Sequence, residues 1–154
     1  MPPLHIVLVE PEIPPNTGNV ARLCAATGCR LHLVEPLGFS IDDRQLKRAG
    51  LDYWHLVDLA VHADFAACLA TLAGRVWFVE TRAGLPYDRA RFAAGDAIVF
   101  GKETSGLPQA LLESNARTLH IPMRPDSVRS LNLSTSVGIV AYAALADLGF
   151  PGLA

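Results

Sequence analysis

Short, almost wholly apolar runs recur along this chain, each followed by a helix-like pattern, and this alternation restricts the fold more than any other feature. Residues 4–10, 30–34, 76–81, 97–100 and 118–121 read as strands, with a weaker one near 55–59. A strand with one face in water alternates polar and apolar side chains. The most apolar of these runs, at 4–10, 76–81 and 97–100, do not, so both faces of the sheet they form are expected to be covered. Helical spacing marks about 17–27, 42–49, 63–72, 108–113 and 133–148. The expected fold class is α/β: a largely parallel sheet covered by helices, with ligands beyond the carboxyl ends of the strands.

Local punctuation agrees with these boundaries. Pro14 and Pro15 followed by Asn16 mark the start of the first helix and Gly28 its end. Ser40 caps the second helix, and Pro108 takes a first-turn position. No repeat or linker interrupts the 154 residues, which fit one domain, and a hydrophobic fraction of 51% fills a core without disulfides or metal. Cys24, Cys29 and Cys68 match neither a metal pattern nor a disulfide framework and read as reduced, buried thiols. The apolar run 137–145 is far shorter than the roughly 20 residues that span a bilayer. Because the first residues enter a strand without a basic leader, a cytoplasmic protein is expected.

Several chemistries are excluded by inspection. Gly101-Lys102 is followed by Glu103 and lacks the earlier glycine of a P-loop, no G-x-G-x-x-G follows the first strand, and there is no H-E-x-x-H. His5, His32, His55, His62 and His120 are scattered, so no metal is expected. A net charge of −2 gives no global attraction to nucleic acid, so any RNA contact must be local. Arg44 with Lys47 and Arg48, Arg82 with Arg89 and Arg91, and Arg124 with Arg129 are the candidate clusters.

Three loops carry the remaining chemistry, each where an apolar strand gives way to a helix. The first, 11–22, contains Asn16, Asn19 and Arg22; a helix cap and an exposed helical arginine would account for it on residue grounds alone. The second, 98–108, sets Glu103 between Gly101 and Gly106, where backbone must turn tightly or approach a ligand. In the third, Ser127, Arg129, Ser130, Asn132 and Ser134 crowd the entrance of an apolar helix, which is more polar chemistry than one cap needs.

In order and spacing these loops resemble the signature motifs of the SPOUT RNA 2′-O-methyltransferases of the minimal single-domain type. Arg48-Ala-Gly-Leu-Asp-Tyr and Gly149-Phe-Pro-Gly extend the likeness from Leu4 almost to the end of the chain. The resemblance implies a C-terminal trefoil knot made by the segments after Val76, with S-adenosylmethionine held in the knotted loops. It also implies methylation of the ribose of cytidine or uridine 34 in a tRNA anticodon stem-loop. A sibling acting on ribosomal RNA or another tRNA position, or a silent RNA-binding module, are the alternatives. By the same resemblance Asn16, Arg22 and Glu103 belong to the active site, and Val79, Gly101, Ile121 and Leu131 to the cofactor site. Ser130 and Asn132 contact cofactor or substrate, and Tyr142 acts at the site or the dimer interface. The segment Ser127-Val128-Arg129 is a residue longer than the family pattern; spacing to Asn132 favours Ser130 over Ser127 as the family serine.

Guanidinium is a poor proton acceptor, so Arg22 is expected to orient the ribose hydroxyl and a neighbouring phosphate through its forked donors. The last helix points to a homodimer, because Leu133, Val137, Ile139, Val140, Ala141, Ala144, Leu145 and Leu148 cover more than one stripe. In the family's dimers Arg22 of one subunit would face the cofactor of the other.

Overall fold

A computed structural model describes residues 1–42, 44, 53–113 and 117–154. Seven strands form one sheet: β1 (His5–Val9), β2 (Arg30–Val34), β3 (Leu59–His62), β4 (Val76–Val79), β5 (Leu85–Pro86), β6 (Ala97–Phe100) and β7 (Thr118–His120). Among the described residues the named helices are α1 (Pro14–Thr27), α2 (Phe65–Leu69), α3 (Gln109–Glu113) and α4 (Leu133–Asp147), with single 3₁₀ turns at Trp54–Leu56 and Tyr87–Arg89. The strand order is β3-β2-β1-β6-β4-β7-β5 and every pairing between these strands is parallel.

Both faces of the sheet are covered, as the unbroken apolar runs require. On one face Leu4, Ile6, Leu8, Leu31, Leu33 and Ile98 pack with Val20 and Cys24 of α1 and with Val137, Val140 and Leu145 of α4. On the other, Val7, Val9, Val34, Phe78 and Val99 pack with Cys68 of α2 and Leu107. Each such side chain contributes about 1.5–3 kcal/mol by leaving water.

The departures from the sequence reading have local causes. Residues 54–56 are a 3₁₀ turn, and the strand expected at 55–59 begins only at Leu59. β3 is an edge strand with no fully buried residue, so its periodic signal is weak. α2 is shorter than expected because the Asp64 carboxylate caps it, accepting from Ala67 N at 2.8 Å, and it stops after Leu69. β5 went unread, since two residues ending in proline carry no strand pattern. The helix expected at 42–49 lies outside the described residues, apart from Asp42 and Arg44.

The strand order decides where ligands can bind. After β1 the chain builds outward through β2 and β3, whereas β4 lies on the other side of β1, with β6 inserted between them. The reversal leaves a crevice at the carboxyl ends of β1, β6, β4 and β7, the expected ligand position in such a sheet. The three polar loops leave from the ends of β1, β6 and β7, so this one crevice gathers them all.

Across β1, β2 and β3 three histidines form a ladder. His5 Nδ1 lies 2.9 Å from His32 Nε2, and His32 Nδ1 lies 2.9 Å from His62 Nε2. His32 is 1% exposed, and burial, reinforced by the neighbouring imidazoles, pushes its pKa down to about 3. Burial also lowers His5 and His62. The unfolded chain therefore binds protons near pH 6.5 that the folded chain refuses, so stability is full above that pH and declines as pH falls toward 3. Denaturant unfolding between pH 5 and 6.5 should show stability rising with pH, with a shallower slope in His32→Gln. Equal slopes would refute the account.

His32, His62 and Cys68 also bring one donor atom each to within 4.8 Å of the others. The two imidazoles are already bonded to one another there, and burial raises the Cys68 thiol to about 11. An ion would have to break that bond and displace that proton. All three cysteines are free and buried, as read from the sequence.

Candidate active site

The first loop begins with a forced turn. Glu10 leaves β1 at φ 52°, a left-handed conformation that costs a non-glycine residue roughly 1 kcal/mol. The chain then enters α1 at Pro14, with Ile13 in the capping position and no side-chain cap. Asn16 is therefore not a cap: it stands inside the first turn, 7% exposed, with its amide free to bond elsewhere. The preformed φ of Pro14 and Pro15 starts the helix without it.

That amide links the other two loops. Asn16 Nδ2 donates to Glu103 Oε2 at 3.2 Å, and Asn16 Oδ1 accepts from Asn132 Nδ2 at 3.0 Å. Glu103 also accepts from Glu12 N at 2.9 Å and from Ile13 N at 2.8 Å, so both its oxygens are engaged by the first loop. Glu12 answers in the opposite direction, its Oε1 accepting from Thr104 N at 3.1 Å and from Thr104 Oγ1 at 2.7 Å. These Thr104 bonds, the side-chain one foremost, hold the Glu12 carboxyl below its ordinary pKa. Two carboxylates thus staple the first loop to the second, and Asn16 carries the connection to the third. The sequence reading assigned no role to Glu12 or Thr104; a reciprocal pair so far apart in the chain leaves no local pattern.

Of the two reasons the sequence offered for Gly101, a tight turn or ligand approach, the loop geometry shows the first. A Cβ there would sit 2.1 Å from Gly106 C and 2.2 Å from Leu107 N. The loop closes on itself, with Gly106 N donating to Lys102 O at 2.9 Å, and Gly106 takes φ 68° to do so. The close approach is to the protein's own backbone, and Gly101 still lines the cavity beside it.

In the third loop Asn132 caps α4. Its Oδ1 accepts from Ser134 N at 2.9 Å, Thr135 N at 3.3 Å and Ser134 Oγ at 2.6 Å. The Ser127 hydroxyl is used inside the loop, donating to Arg124 O at 2.6 Å, while Ser130 stands on the cavity wall.

The loops enclose a cavity of about 430 Å³, within the range of pockets that hold small ligands. Asn16, Glu103, Ser130 and Asn132 supply polar groups to its wall, and Val79, Gly101, Ile121 and Leu131 also line it. Eight of the ten candidates are therefore brought together. Glu80, Thr81 and Met123 line it as well and went unread as site residues; Arg129, read from the sequence as part of a basic cluster, also lines it and reaches Thr104 O at 3.5 Å. Two candidates lie elsewhere. Arg22 is exposed, with its guanidinium carbon 4.8 Å from the centroid of the Tyr53 ring. Tyr142 is 45% exposed on α4, its ring 6.5 Å from that of Phe150.

Residues 3–142 match the model of the SpoU rRNA methylase family. This chain belongs to that family. A relative from Polaromonas sp. (strain JS666) is 53% identical over 154 residues, covering 96% of this chain and 93% of its own length. One from Escherichia coli (strain K12) is 48% identical over 152 residues, covering 97% and 96%. Both are named tRNA (cytidine(34)-2′-O)-methyltransferase. A solved structure described as giving structural insights into the 2-OH methylation of C/U34 on tRNA matches with a TM-score of 0.90 at 51% identity. It covers 95% of this chain and 96% of that one. Within this SpoU domain the chemistry-bearing loops are the ones that meet at the crevice.

Proposed function

We propose that this SpoU-family protein transfers a methyl group from S-adenosylmethionine to the 2′-oxygen of cytidine or uridine 34 in the anticodon stem-loop of tRNA. The observation that carries this reading is near-half identity, over nearly the whole length, to relatives named for that reaction. The geometry supports it, because eight of the ten residues that resemblance assigns to the site, all but Arg22 and Tyr142, line one cavity.

When bound, S-adenosylmethionine supplies an electrophilic methyl group on a cationic sulfur. The cavity fits such a group: Val79, Ile121 and Leu131 offer apolar contact, while the polar groups of Ser130 and Asn132 can orient it. The remaining difficulty is to hold the ribose hydroxyl in line with the methyl carbon, and positioning of this kind accounts for much of the rate in two-reactant sites. Arg22 presents forked donors suited to a hydroxyl and its adjoining phosphate.

Arg22 does not line its own chain's cavity, which favours a site shared across a homodimer. α4 supports the same arrangement: it exposes Tyr142, and a Cβ at Gly138 would meet nothing within 4 Å, leaving room for a partner helix. The trefoil knot follows from the same reading. β7 sits between β4 and β5, with Gly84 pressed against Thr118 O, and α4 beyond it reaches back so that Asp147 Oδ2 accepts from Phe92 N at 3.0 Å. A cytoplasmic location accords with the substrate, and no described helix is long and apolar enough to cross a membrane.

Nucleoside mass spectrometry of tRNA from a strain lacking the protein tests the proposal. Loss of 2′-O-methylcytidine or 2′-O-methyluridine at position 34, restored by re-expression, is the expected result. Loss at another position or in ribosomal RNA overturns the assigned substrate, and no loss anywhere overturns the activity.

A further inference from the structure

Arg22 has no carboxylate partner among the described residues. Its guanidinium carbon stands 4.8 Å from the Tyr53 ring centroid. The turn after Tyr53 holds the backbone from which that ring projects. Leu56 N donates to Tyr53 O at 2.8 Å and Val57 N to Trp54 O at 3.2 Å, closing a 3₁₀ turn. Trp54 and Val57 pack on the same core cluster as Val20, Ala21 and Cys24, the residues that flank Arg22 on α1. Helix and turn are therefore anchored to one core, and the Tyr53 ring leaves that turn beside Arg22.

An aromatic partner suits an arginine that must address RNA. A carboxylate would neutralise the charge and occupy the forked N–H groups. A ring takes only the face of the guanidinium and leaves its in-plane donors free. It also restricts a long side chain that otherwise samples many rotamers in water.

We propose that Tyr53 is a positioning residue for methyl transfer: its ring holds the Arg22 guanidinium flat, with the donor edge free for the ribose hydroxyl and phosphate of the acceptor. The proposal rests on the reading of Arg22 as the acceptor-orienting group.

The test compares single-turnover rates at saturating RNA and S-adenosylmethionine for the wild type, Tyr53→Phe, Tyr53→Trp, Tyr53→Leu and Arg22→Ala. Any aromatic ring should keep the rate within about twofold. Leucine, apolar but without a π face, should lose about fivefold, the rate equivalent of a ~1 kcal/mol cation–π contact, with cofactor affinity unchanged. A purely structural role would not separate rings from leucine in this way.

If Tyr53→Leu is as fast as Tyr53→Phe, or Tyr53→Phe as slow as Tyr53→Leu, while Arg22→Ala is inactive, this proposal alone is overturned. A wild-type rate in Arg22→Ala overturns the reading of Arg22 and this proposal with it. Should Tyr53→Leu fold poorly, the Arg22 Nε–H resonance of the wild-type protein decides. A ring-current shift supports the contact, and a random-coil position overturns it.

Discussion

Replacing Arg22 with alanine will slow single-turnover methyl transfer by about a hundredfold or more while leaving cofactor binding and thermal stability near wild type. The size reflects lost positioning, since a reacting hydroxyl displaced by about an ångström loses on the order of 10² in rate. The preserved stability reflects the location: the side chain is exposed and its aromatic contact is worth only about 0.5–1 kcal/mol. Arg22→Lys should also fail substantially, because a point charge does not reproduce a planar fork. Near-normal rates in both variants would return Arg22 to the role of a surface residue. The shared-site arrangement adds a sharper expectation. Mixing Arg22→Ala chains with chains whose cavity is filled by Ser130→Trp should restore one working site in each mixed dimer, the one combining an intact cavity with an intact Arg22. Verified heterodimers without activity would rule out the shared site.

Gly101→Ala will be almost as damaging as Gly101→Val, with cofactor binding lost and the melting temperature lowered by roughly 6–12 °C, the shift that ~3 kcal/mol produces in a domain of this size. The reason is the location of the obstruction. The first added carbon already falls 2.1 Å from Gly106 C, and the neighbour is backbone that cannot rotate away. Opening the loop would also disturb Glu103 and Thr104, which staple it to the first loop. Calorimetric titration and thermal melts of the two variants check this. A stable Gly101→Ala protein with merely weakened binding would show that the glycine serves ligand approach and not loop closure.

Much of the fold was legible because its signals are local. The apolar runs at β1, β2 and β6 lack a wet face, and that alone requires helices on both sides. Gly28, which ends α1 at φ 77°, announces itself by residue type. The edges were harder to read: β3 is half exposed and β5 is two residues long, so neither has enough buried positions for a period to emerge. The polar crowding before α4 marked a loop that lines the cavity, and Asn132 proved to be the cap within it.

The sequence by itself determined five of the seven strands, the polar loops that meet at the crevice, and, through resemblance in motif order and spacing, the methyltransferase family. Only the tertiary structure decided what each polar side chain is bonded to. Asn16 looked like a cap and is a connector, because two prolines start its helix for it. Glu103 is held by the amides of residues 12 and 13, and Glu12 by Thr104. Gly101 presses on the backbone of its own loop while lining the cavity, and Arg22 rests on an aromatic ring outside its own chain's cavity. Periodicity reports burial along one element. These outcomes depend on which elements the strand order sets side by side, and inserting β6 between β1 and β4 brings together two loops whose paired residues, Glu12 and Glu103, are 91 positions apart.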